Sequence, residues 1–159
     1  MPTLKNGVDR TEHKVEELYE LAEHSSLVFP AATNLTCTLT AHADANTWSS
    51  WFEVVDSTDV TPVSLSAAFA AMNGHVTSMI TESADQDDTI YIVALSYGSA
   101  KVPLCEWRLI SGTSKVSSTG QSQANSVDVV AGETVYARVM CGTAGSKTLS
   151  VHFRYFVYT

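Results

Sequence analysis

From Ala32 onward apolar and polar residues alternate along much of the chain, and a period of two marks strands with one buried face. In "NLTCTLTA" Leu35, Cys37, Leu39 and Ala41 alternate with Asn34, Thr36, Thr38 and Thr40, which predicts one dry face and one wet face. "WSSWFEVVD" (48–56) and "DTIYIVALSYG" (88–98) are apolar on both faces and are expected as central strands. "KVPLCEWRLI" (101–110) puts Cys105, Trp107 and Leu109 on one face and Glu106 and Arg108 on the other, with Pro103 marking an edge. "TVYARVMC" (134–141) and "KTLSVHFRYFVY" (147–158) close the chain, joined by the short "GTAGS".

Three segments need more argument. Residues 61–82, "TPVSLSAAFAAMNGHVTSMITE", are alanine-rich enough for a helix over 65–72 with Asn73-Gly74 as its cap. The alternation of Val63, Leu65, Ala67 and Phe69, followed by Asn-Gly and then Val76 and Ile80, favours a hairpin instead. "VDVVAGETVYARVMC" (127–141) reads as two strands around a bend at Ala131-Gly132-Glu133, with Cys141 inward and Tyr136, Arg138 and Met140 outward. The polar run "SGTSKVSSTGQSQANS" (111–126) reads as a long loop.

Before residue 26 the period changes. "DRTEHKVEELYELAEHS" (9–25) predicts a helix, capped by Asp9 with Glu12 three residues on. Its narrow stripe runs through Val8, Thr11, Val15, Leu18, Ala22 and Ser25, flanked by Leu21. So short a helix is marginal alone in water and must cover its own domain, pair with a sister copy or dock on a partner. The organisation expected is an N-terminal helical arm (1–26) and an all-β domain (27–159). Eight or nine strands without an intervening helix indicate an antiparallel β-sandwich of jelly-roll type.

Composition narrows the partners. The chain has 159 residues, 45% of them apolar, and a formal net charge of -8. That charge argues against gripping nucleic-acid phosphates or an anionic membrane surface. No run has the length of a membrane span, and the N-terminus lacks the apolar stretch of a secretory signal, so synthesis in a cytoplasm is expected. Cys37, Cys105 and Cys141 are too scattered for a zinc site or a disulfide framework.

Candidate chemistry is sparse. Glu82, Asp85, Asp87 and Asp88 in "ESADQDDT" could suit a hard cation, but their spacing is not that of a calcium loop, and an acidic turn stays soluble for that reason alone. His42 and Asp44 form a His-x-Asp with no nucleophile beside them. No catalytic residues, cofactor or metal are therefore expected. More telling are the aromatics: Trp48, Trp51 and Phe52 in one strand, and His152, Arg154, Phe156 and Tyr158 on one face of the last. Large flat groups mixed with arginine are used by protein interfaces, and exposed aromatics also stack on sugar rings. The interface residues expected are Val15, Leu18, Tyr19 and Ala22 of the helix, with Tyr136, Arg138, Arg154, Phe156 and Tyr158 of the strands.

Three stretches, "SLVFPAATNLTCTLTAHADANTWSSWFEVVDST", "GHVTSMITE" and "VVAGETVYARVMCGTAGSKTLSVHFRYFVY", carry a resemblance of pattern that covers most of 27–159. The chain resembles small β-sandwich virion proteins of tailed phages, of the head decoration or cement type or the spike and fibre-knob type. That resemblance implies a non-enzymatic virion component assembling in several copies, as a homotrimer on a capsid or other virion protein. It transfers no active-site residues. The capped helix at 9–25 departs from the extended arms of many decoration proteins. A carbohydrate- or receptor-binding module, with a glycan as partner, is the alternative.

Overall fold

In the computed structural model, residues 26–58, 60–112, 121–123 and 127–158 are described. The helix predicted for 9–25, with Val15, Leu18, Tyr19 and Ala22, lies outside them. Among the described residues there are nine strands: β1 (Leu27–Phe29), β2 (Cys37–Thr40), β3 (Phe52–Glu53), β4 (Asn73–Ala84), β5 (Ile90–Tyr97), β6 (Val102–Ile110), β7 (Gln121–Gln123), β8 (Val135–Cys141) and β9 (Thr148–Tyr158). All pairings are antiparallel. One sheet has the order β1-β9-β4-β7, with β2 lying further along the same edge of β9 as β1; the other has the order β3-β8-β5-β6.

Alternation along each strand gives the two sheets apolar faces, and these faces form one core. Cys37 and Leu39 of β2, Met79 of β4 and Leu149, Val151 and Phe153 of β9 come from the first sheet. Val93 and Leu95 of β5, Trp107 of β6 and Val135, Ala137, Val139 and Cys141 of β8 come from the second. The Trp107 and Phe153 rings, 6.2 Å apart, join the layers. The fold is thus an all-β sandwich of two antiparallel sheets, with β5 central and β6 at an edge, as their patterns predict.

Several local expectations are corrected. Residues 61–82 do not form a hairpin: Leu65–Phe69 is a 3-10 turn, and Asn73-Gly74 opens the long strand β4. The buried residues of the turn are Leu65 and Phe69, four apart, while Val63 and Ala67 are exposed, so the apparent alternation was incidental. Ser64 caps the turn by accepting from the Ser66 amide at 3.0 Å. Gly74 serves close approach rather than a bend, because a Cβ there would collide with the Phe156 carbonyl.

"WSSWFEVVD" supplies the edge strand β3, not a central one. It is apolar on both sides because Phe52 and Val54 pack on the core while its tryptophans lie against an arginine of β8. Nor do 127–141 form a hairpin. Val129 pairs with Gly74 in one sheet, and the chain then crosses to β8 in the other. Gly132, with φ of 80°, makes the turn in between, as its sequence implies. The predicted loop 111–126 contains β7, which pairs with β4 over Ser78–Ile80.

Candidate functional site

The expected interface residues of the strands fall on two opposite surfaces. Tyr136 and Arg138 point outward from β8 in the second sheet, whereas Arg154, Phe156 and Tyr158 point outward from β9 in the first. The sandwich keeps these groups apart. Two aromatic–arginine surfaces result instead of one.

On the second sheet, residues 46–53 run beside β8. The Asn46 amide donates to the Cys141 carbonyl at 2.7 Å, the Ser49 amide to Val139 at 2.9 Å, and Trp48 bridges Met140. This places the Arg138 guanidinium over both indoles, 4.3 Å from Trp48 and 4.5 Å from Trp51. Among the described residues, the enclosed arginine Nε has no hydrogen-bond partner. Further along β8, Lys101 Nζ sits 3.0 Å from the Tyr136 ring centroid. Both cations are therefore held by aromatic faces on this surface.

Beyond Met140 the same surface opens into a groove of about 640 Å³. Cross-strand register builds its floor: Ile92 lies between Arg108 and Met140, and Ile90 lies beside Ile110. Asn46, Asp88, Thr89, Gly142 and Thr143 form the rim from three connecting segments. These segments are bonded to one another. Thr143 Oγ1 donates to Thr89 Oγ1 at 3.0 Å, the Gly142 amide to Ile90 at 2.8 Å and the Gly145 amide to Ala43 at 2.8 Å.

The outer face of the first sheet is organised by two histidines. His75 stacks near Phe156 and Tyr158, with ring centroids 4.9 and 5.6 Å away, and its Nε2 lies 2.8 Å from Asp128. Tyr158 donates its hydroxyl to the same carboxylate. Desolvation, and then that bond and the charge of Asp128, push the Tyr158 phenol up to about 12. His152 is buried and pairs with Glu82 at 2.9 Å. A second cavity, of about 470 Å³, lies at one end of the sandwich among Phe29, Pro30, Leu35, Val63, Ala68 and Tyr155.

The other candidate groups have structural positions. Asp85 accepts from the Tyr91 hydroxyl at 3.0 Å and the Thr148 amide at 2.8 Å. Among the described residues, no three His, Cys, Asp or Glu side chains are grouped to hold a metal ion. His42 accepts from the Asp44 amide at 3.0 Å on a surface loop. Burial pushes the Cys105 thiol up to about 12; burial, and then the charge of Asp56, does the same to Cys37, so both stay protonated. Among the described residues no helix is long and apolar enough to cross a membrane.

Sequence reasoning identified Arg138 and the tryptophans separately but did not join them. It also missed the partnership of His75 with Asp128, and the groove with Asn46, Asp88 and Arg108. Outward alternation marks Arg108 and Arg138, yet only strand register tells which loop stands beside them. Compared with protein-family models, curated sequences and solved structures, the chain matches none.

Proposed function

We propose that this chain is a non-enzymatic structural component of a virus particle. It is a jelly-roll module that decorates or cements a capsid, assembling with sister copies in threes. The strand order carries this reading. With β1 and β2 counted as one strand, because both lie along one edge of β9, the chain order gives sheets 1-8-3-6 and 2-7-4-5. That succession follows from two Greek keys wrapped together, an arrangement used by capsid and lectin domains.

The outer faces add a second line of support. Each carries aromatics with arginine, the residue types favoured at protein contacts, beside its polar residues. In this reading the apolar stripe of residues 9–25 is a helical arm that joins copies or docks on the lattice. Attachment rests on buried apolar area and needs no reactive group.

The test is a Val15→Asp, Leu18→Asp double variant, compared with the parent by light scattering and circular dichroism. The proposal predicts a multimeric parent and a smaller variant with the same β spectrum. An oligomer that survives the double substitution would reduce the helix to a domain cover and remove the arm from the account.

A further inference from the structure

We propose that the groove on the outer face of the second sheet is a saccharide-binding site. Its volume of about 640 Å³ lies within the range of roughly 300–1,000 Å³ usual for small-molecule sites. Ile92, Ile110 and Met140 offer an apolar floor, which suits the carbon–hydrogen faces of a sugar ring. Around them stand an amide (Asn46), a carboxylate (Asp88), a guanidinium (Arg108) and the hydroxyls of Thr89 and Thr143. Those groups both donate and accept hydrogen bonds, as a ligand dense in hydroxyls requires. A purely apolar ligand would strip water from Asn46, Asp88 and Arg108, all exposed, without pairing them, at a cost.

The site is also built in advance. The Thr143–Thr89, Gly142–Ile90 and Asn46–Cys141 bonds tie the rim segments to each other and to the strands, so little ordering remains when a ligand enters. Asn46 and Asp88 hold left-handed backbone, with φ of 56° and 50°, a conformation that Asn and Asp tolerate better than most residues. Trp48, paired to Met140 and held by Arg138, flanks the groove and supplies an optical reporter.

Binding is tested on the full-length protein with a panel of immobilised neutral and acidic oligosaccharides, and with tryptophan fluorescence during titration of those that bind. Arg108→Ala and Asp88→Asn are the variants, since both side chains are exposed. The proposal predicts saturable binding by the parent, weakened tenfold or more in each variant, with unchanged circular dichroism and unchanged mass. No saturable response to any saccharide would overturn it, as would equal binding by parent and variants. A variant that loses mass would identify the groove as a contact between copies, which also overturns it. Sugar binding and self-assembly are read separately, so failure of one leaves the other standing.

Discussion

Asp85 shows how a single carboxylate in an acidic turn can serve the fold. Tyr91 is fully buried except for the reach of its hydroxyl to Asp85, which also accepts from the Thr148 amide of β9. Asp85→Ala removes the carboxylate that accepts from the phenol and from the Thr148 amide, and should cost about 1–3 kcal/mol. For a chain of this size that lowers Tm by roughly 2–4 °C per kcal/mol, measurable by thermal denaturation. An unchanged Tm would mean that the bonds contribute nothing. Asp56 makes a pH-dependent contribution. Desolvation opposes its ionisation, but the amides of Thr58 and Val63, each 3.1 Å from Oδ1, prevail and hold its carboxyl below the usual range. Stability from these bonds is complete above about pH 4, the ordinary aspartate value, and declines as pH falls through the lower folded value. Acid titration followed by circular dichroism should show that decline, and Asp56→Asn should remove its pH dependence. At this scale the sequence revealed that Cys141 points inward and Arg138 outward, because alternation alone decides it. It did not reveal that Asp85 was structural, since its partners lie 6 and 63 residues away.

The long strand β4 depends on its first residues. Gly74 exchanges backbone hydrogen bonds with Val129, donating at 3.1 Å and accepting at 2.7 Å, while its Cα faces the β9 backbone. Gly74→Ala should therefore destabilise the protein by about 1–3 kcal/mol, the usual cost of overpacking, as read by urea denaturation. A neutral result would show that β9 can yield at Phe156. The preceding 3-10 turn is fastened from outside: Ser64 and Ser66 donate to Glu53, and Ser66 Oγ accepts from the Val135 amide at 2.9 Å. These tertiary bonds explain why a run that alternates like a strand folds as a turn. The strands β2, β6, β8 and β9 were legible because each has a clear inward set, and β5 because it is apolar on both faces. β7 was not, because "QSQ" has no apolar residue to announce it; it pairs with β4.

For the whole molecule, the sandwich was legible as a sum of strand patterns, but the distribution of its surface residues was not. Arg138 and Arg154 look alike in sequence, each an outward arginine between apolar neighbours, yet they belong to opposite faces. The proposed virion role needs those faces, or the N-terminal arm, to bury area against other copies. Stable contacts of that kind usually cover about 800 Å² per partner. The most direct test is the solution mass of the parent protein by light scattering across a wide concentration range. The account predicts a species of three times the 17.1 kDa chain mass that persists on dilution. A mass of one chain at every concentration would contradict it.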